Sequence, residues 1–289
     1  MVLDPRCLFA AALTVLTSAG LAVADPKVVI TPKTARPGDP VLVSVTGVTD
    51  APKGKAGATT LEFFAAKTGY QAVFAIPLAT KPDTPPAPIA IDVAGAKPIV
   101  LEVKDVTFKE TDVNVADEFA SPGARDRAKI SADNQAIIGA ALKSKGAPKF
   151  SRGFKRPIGA VTSSFGEWRR WNEDDSGFKT QHLGLDIGQL RGSQARATNA
   201  GTVVLTREGF LTGNVVVIDH GAGISTAYYH LSKISVAEGD QVSLGGAIGL
   251  VGETGRTTGP HLHVSVRVPG GFVDPAAFFA LPLAPRATP

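Results

Sequence analysis

After position 7 this chain of 289 residues has no cysteine, and Cys7 is the only one in it. Everything beyond the first segment is therefore without disulfides, thiolate metal ligands or a cysteine nucleophile. Aromatic residues make up only 7%, and histidine is missing from the first 181 positions. The net charge is +4, with no polybasic run and no interleaving of basic and aromatic residues. Nucleic acid is not an expected partner of such a chain. No HExxH helix supplies zinc ligands with a glutamate base, and no GxSxG elbow supplies a serine nucleophile. The stretch VGETGRTT spaces its glycines three apart with no lysine after them, so it is not a phosphate-binding loop.

Long apolar runs are also missing, with one exception at the start. MVLDPRCLFAAALTVLTSAGLAVA has an early arginine, an apolar stretch from Cys7 and the small-x-small ending Ala22-Val23-Ala24. This pattern predicts a secretory signal peptide over 1–24, cleaved before Asp25. The run is borderline for spanning hydrocarbon and is interrupted by Thr14, Thr17, Ser18 and Gly20. The expectation is export to the periplasm or cell envelope, or secretion, with no stable membrane anchor left. Cleavage removes Asp4 and Arg6, which cancel, so the mature charge stays at +4.

What the chain has in quantity is Gly 31 and Pro 21 among short β-branched runs, the composition of a mainly β protein. Residues 25–108 contain VVITP, VLVSVTG, TLEFF, QAVFAIP, IAIDVAG and PIVLEV, separated by turns such as Pro37-Gly38-Asp39-Pro40. That spacing predicts an N-terminal Ig-like β-sandwich, with KPDTPPAP (81–88) as a loop. Residues 109–156 read as a connector, with a helix within DRAKISADNQAIIGAALKSK ended by Gly146-Ala147-Pro148. The connector is expected to pack between two domains. Strands return over 157–280, where Asp274-Pro275 before AAFFA predicts a short final helix. Residues 281–289 read as a loose tail.

All five histidines fall in this last domain: His182, His220, His230, His261 and His263. In QHLGLDIG two glycines argue against a helix. On a strand, positions 182, 184 and 186 face one side, and Gly184 leaves room there for an ion. In GPHLHVSV, alternation turns His261 and His263 to one face and Leu262 to the other. His182, Asp186 and one of the HLH histidines would make three ligands suited to zinc, with a fourth position open to water. His230 ends the alternation Thr226, Tyr228, His230 and is expected to join the same surface. His220 precedes Gly221 and reads as a hydrogen-bonded turn histidine. The basic-aromatic stretch EWRRWN reads as groove lining or as a packed strand end.

The stretches TSSFGEWRRWN, HLGLDIG, NAGTVV, GNVVVIDHGAGISTAYYHLS, VAEGDQVSLGGAIGLVGETG and TGPHLH strongly resemble the LytM/lysostaphin-type zinc metallopeptidases, family M23. They run in the family's order and cover about two fifths of the chain. The N-terminal module is similar to the β-rich module of some exported members. The resemblance implies a C-terminal antiparallel β-sheet peptidase domain holding one Zn2+ through His182, Asp186 and His263. It implies His230 and His261 as the unligated catalytic pair, and the stem peptides of peptidoglycan as substrate. The implied reaction is hydrolysis of peptide cross-links, of the D,D-endopeptidase type. Gln181, where tyrosine is common, SQARA (193–197) and the insertion EDDSGFKT (173–180) depart from the pattern without touching these five positions. The alternative is a non-enzymatic LytM-type factor that binds cell wall or activates an amidase. A structural zinc module closed by a fourth protein ligand is a third reading.

Overall fold

The computed structural model describes residues 25–78, 85–173 and 179–286. The signal-peptide expectation, with Cys7, lies outside them, as do parts of the 81–88 loop, the 173–180 insertion and the final residues. Among the described residues no helix is long and apolar enough to cross a membrane.

The chain is mainly β. Its first part has two sheets, and their strand pairings follow the turns expected from the sequence. Strands Lys27–Thr31, Pro40–Thr46, Tyr70–Ala75 and Phe64–Ala65 pair antiparallel in that order. The second sheet runs Thr34–Ala35, Ile99–Val103, Ile89–Val93, Gly54–Ala56, Thr59–Thr60. Val41, Val43 and Val45 of the first sheet meet Ile91, Val93 and Leu101 of the second in one core. Leu42, between them, points the other way and is also buried. The run VLVSV is continuous rather than alternating because both faces of its sheet are covered.

The second face is covered by the C-terminal part. Leu42, Phe64, Val73 and Ala75 share a cluster with Phe150, Phe154, Ile224, Val266, Val268 and Phe278. Each large side chain fully buried there contributes roughly 1.5–3 kcal/mol, so the sandwich is packed against the second sheet rather than tethered to it. Residues 281–286 belong to this contact and are not a loose tail. Leu281 and Leu283 are buried, Pro285 bridges to Ala66, and the Lys67 N–H donates to the Ala284 carbonyl. The short helix Pro275–Phe279 forms where the sequence predicts it, with Asp274 accepting from the Ala276 N–H as its cap.

The C-terminal sheet is antiparallel throughout. Its main path runs Ala160–Ser163, Leu185–Gly188, His261–Val268, Ser225–Ile234, Gly213–Asp219, Gly201–Gly209, Gln241–Val242. One face buries Leu262, Val264, Val216, Ile218, Tyr228 and Leu231. On the other face lies the helix Ala124–Ala141, with Ile137 and Ala140 against Val215, Val217, Ala227 and Tyr229. The helix contacts the strands Gly201–Gly209 and Gly213–Asp219 of this sheet. Its buried Asp133 fixes it there, accepting from Arg207 Nε at 2.7 Å and the Phe210 N–H at 2.8 Å.

The connector also holds a strand the sequence did not announce. Glu110–Val113 pairs in parallel with Trp168–Trp171, which pairs antiparallel with Lys179–Gln181. Its short ETDV lacks an apolar stripe, because its role is to add to an edge.

Candidate metal and catalytic centre

Asp186 and His263 stand directly opposite each other on the adjacent strands Leu185–Gly188 and His261–Val268. Opposite residues share a face, so the pairing register itself brings carboxylate and imidazole together. His261 lies opposite Gly188 on that same face, and Tyr229 lies opposite His263 from the other neighbouring strand. The Tyr229 and His263 rings meet edge to face, with centroids 4.8 Å apart.

His182 arrives by a different route from the one expected. The strand begins at Leu185, and residues 182–184 form an approach to it, not its first positions. His182 is fixed by its N–H, which donates to the Glu167 carbonyl, and by Nδ1, 2.7 Å from the Ser164 carbonyl oxygen. Gly184 has a use other than making room for an ion. A Cβ there would lie 2.3 Å from His263 Nε2 and 2.7 Å from the Val264 carbonyl oxygen, so the space is filled by the His263 ring.

Three donor atoms converge. His182 Nε2 is 2.9 Å from His263 Nδ1 and 3.1 Å from Asp186 Oδ1, and His263 Nδ1 is 2.7 Å from the same oxygen. The Ser164 carbonyl only accepts, so the neutral His182 ring carries its proton on Nδ1 and turns the Nε2 lone pair to a carboxylate oxygen. Two such acceptors repel unless a cation neutralises them. Two imidazole nitrogens and one carboxylate oxygen, with His182 and Asp186 buried, could hold a zinc ion with one position left open.

Asp186 is held from behind as well. Its Oδ2 accepts from Arg169 Nη2 at 2.6 Å, and the same nitrogen reaches Ser163 Oγ at 2.7 Å. Arg169 belongs to EWRRWN, and orienting this carboxylate is a role that spacing alone did not reveal. Burial alone would raise the Asp186 carboxyl, but the His182 and His263 imidazoles outweigh it and hold it far below the usual carboxylate range. Burial pushes His263 down to about 4 against the pull of Asp186, leaving it a neutral ring.

His230 reaches the site through a break in the alternation. Strict alternation puts it on the face of Tyr228, which lies in the opposite core with Leu262. His230 instead adopts φ 60°, and the register shifts there against the strand Gly213–Asp219. Tyr229 and His230 consequently both turn to the site, while Tyr228 and Leu231 both turn to the core. The His230 and His261 ring centroids are 5.0 Å apart. Each Nδ1 meets a backbone carbonyl at 2.8 Å, Thr254 for His230 and Gly259 for His261. Both rings therefore carry the lone pair on Nε2, and His261 Nε2 is 3.6 Å from Asp186 Oδ1. Burial first, then the His263 and His261 rings, push His230 down to about 3.

The connector builds the walls of the groove. On one side a cavity of about 560 Å³ is lined by Thr111, Val113 and Val115 together with Asp186 and His261. On the other, a cavity of about 820 Å³ is lined by Ile130, Ile137 and Ile138 of the helix together with His182, His230 and His263.

His220 takes no part. It is fully buried, with Nδ1 2.7 Å from the Ala200 carbonyl and Nε2 2.8 Å from Thr226 Oγ1. Burial pushes its pKa from 6.5 down to about 4, with smaller opposing help from the Ala200 hydrogen bond. Between those values the unfolded chain binds the proton that the folded chain refuses, so stability falls as pH drops from 6.5 to about 4. The loss attributable to His220 is about 3 kcal/mol, at about 1.4 kcal/mol per pH unit. Urea unfolding of His220→Gln should show a lower starting stability at pH 7 but a fall smaller by that amount. Parallel falls in both proteins would rule this out.

Two imidazoles and a carboxylate thus converge on an antiparallel sheet, with two more imidazoles in reach. Residues 180–275 match the model of peptidase family M23, and this region is an M23 domain of the LytM type. Over 89 residues the chain is 48% identical to the peptidoglycan DD-endopeptidase ShyA of Vibrio cholerae, covering 31% of this chain and 21% of that protein. Over 101 residues it is 44% identical to the DD-carboxypeptidase/endopeptidase Mpg of Neisseria meningitidis, covering 35% and 23%. The chain thus spans less than a quarter of the length of these curated relatives. A crystal structure of a Pseudomonas aeruginosa protein assigned to peptidase M23 superposes with TM-score 0.61 at 28% identity, over 85% of this chain and 95% of that one. That coverage takes in much of the sandwich as well as the peptidase sheet.

Proposed function

We propose that the chain is an exported zinc metallopeptidase that hydrolyses peptide cross-links of peptidoglycan, of the D,D-endopeptidase type. The observation that carries the reading is the set of three converging donors, His182 Nε2, Asp186 Oδ1 and His263 Nδ1, beside two imidazoles with unused Nε2 atoms. The names of the relatives point to the wall peptide as substrate, and the N-terminal pattern supports export.

Bound at the three donors, zinc supplies a Lewis acid for the scissile carbonyl and lowers the pKa of water to about 7. The chain's own residues do the rest. Arg169 holds Asp186 in place, and the Ser164 carbonyl fixes the His182 tautomer. His261 and His230 divide between them acceptance of the water proton, its return to the leaving amine and contact with the oxyanion. In balance, one water adds across the amide, giving a carboxylate and a free amine. The non-enzymatic alternative has no use for two imidazoles held through Nδ1 with their Nε2 atoms turned to the cluster.

Purified mature protein with zinc should convert cross-linked muropeptide dimers to monomers, read by mass spectrometry. Chelation should stop the conversion and added zinc restore it. Intact dimers in the presence of protein shown by metal analysis to hold zinc would overturn the reading.

A further inference from the structure

Among the described residues, one cation in the groove, Arg256, has no counter-charge. Arg256 lines both cavities, the one that includes Asp186 and His261 and the one that includes His182, His230 and His263. Its guanidinium carbon lies 3.6 Å from the centroid of the buried Trp171 ring. The Trp171 ring is itself fixed by its Nε1, which donates to Thr180 Oγ1 at 2.9 Å. The Arg256 backbone is pinned too, its N–H donating to the Leu211 carbonyl at 2.9 Å.

Among the described residues, the Arg256 side chain has no hydrogen bond and no ion pair, in contrast to the other arginines nearby. Arg169 holds Asp186, Arg170 holds Asp112, Arg191 holds Glu253 and Arg207 holds Asp133. The carboxylates that line the groove are already engaged: Asp186 and Asp112 as above, and Glu167 with Lys109, Thr111 and Ser163. Burial, then the charge of Arg169, lower the Arg256 pKa to about 10, and it stays protonated at neutral pH. Stacking uses the face of a guanidinium and leaves its in-plane N–H groups free, the geometry that grips a carboxylate with two bonds. A desolvated cation without a partner is costly, and an anionic group on the substrate removes that cost.

We infer that Arg256 anchors a substrate carboxylate beside the scissile bond, namely the one on the carbon that bears the leaving nitrogen. The inference rests on the peptidase reading for the substrate and names what the same groove selects. An amide in mid-chain has no free carboxylate at that carbon. A D-alanyl cross-link to the side-chain amine of a diamino acid has one when that centre carries a free acid, and so does a terminal D-alanine. Arg256 thereby selects for both kinds of bond with a single contact.

The test compares two synthetic D-alanyl-diaminopimelate peptides, with the carboxylate next to the scissile nitrogen free or amidated. Binding is measured by calorimetry in a zinc-loaded His261→Ala background, where turnover is slowed by orders of magnitude. The unmodified arginine should favour the free acid by roughly tenfold or more, the worth of a charge-assisted bond. Arg256→Gln should bind both peptides alike, at the level of the amide. Arg256→Lys should fall between, and Arg267→Gln, at the other end of the His261–Val268 strand and opposite Ser225, should keep full discrimination. Equal affinities with the native arginine, or discrimination surviving in Arg256→Gln, would overturn the inference. Cleavage by the protein with His261 intact is read separately. Discrimination without cleavage defeats the peptidase reading alone, and cleavage without discrimination defeats the anchor alone.

Discussion

His263→Ala is expected to lose the metal, and His261→Ala to keep it while kcat drops by about 10²–10⁴-fold. The two histidines are one residue apart on one strand face, so only geometry separates their fates. His263 Nδ1 is within 2.9 Å of both other donor atoms, and removing it leaves two ligands. His261 Nε2 stands 3.6 Å from Asp186 Oδ1, close enough to work on a bound water and too far to share the triangle. Zinc content by metal analysis and turnover on muropeptide dimers should therefore part company between the two variants. Full activity in zinc-loaded His261→Ala would show that the proton is handled elsewhere.

Gly184→Ala should be nearly as damaging, although it adds a single methyl and removes no functional group. The new Cβ would sit 2.3 Å from His263 Nε2 and 2.7 Å from a backbone oxygen, and the backbone cannot yield. The His263 ring must turn away, taking Nδ1 out of the triangle. Displacing a ligand this way should cost about 10–100-fold in zinc affinity, the scale of damage seen when a ligand loses its support. The overpacking itself should cost about 1–3 kcal/mol of stability. Gly188→Ala, on the same strand, is the control: its nearest neighbour is the movable Thr162 Cγ2 at 3.1 Å. Competition with a chromogenic chelator would measure both. Equal zinc affinity in Gly184→Ala and the unaltered protein would show that the ring tolerates the methyl.

Much of the site could be read along the chain because its parts are local. HLH places two imidazoles on one face by alternation alone, and Gly-rich HLGLDIG marks a close approach. The sandwich was legible in the same way, from short β-branched runs between turns. Alternation failed at His230, where it names the wrong face. Only a left-handed residue and a register shift against the strand Gly213–Asp219 turn that ring to the site. Nothing in STAYYHLS announces such a break, since it is imposed by pairing with distant strands. The parallel strand Glu110–Val113 was invisible for a related reason: its four residues bury little and gain order only from Trp168–Trp171.

By itself the sequence determined the inventory: no thiol beyond Cys7, five histidines confined to one region, and one strand whose alternation sets His261 and His263 on the same face. Whether those groups meet depended on register, which sets Asp186 opposite His263 across 77 positions of chain. The tertiary structure also decided that Arg169 steadies Asp186, while Arg256 stacks on Trp171. Alternation and turn chemistry act between neighbours in sequence and can be read from it. Charge pairing, ring placement and the walls of a groove act between neighbours in space, and only the packed chain fixes those.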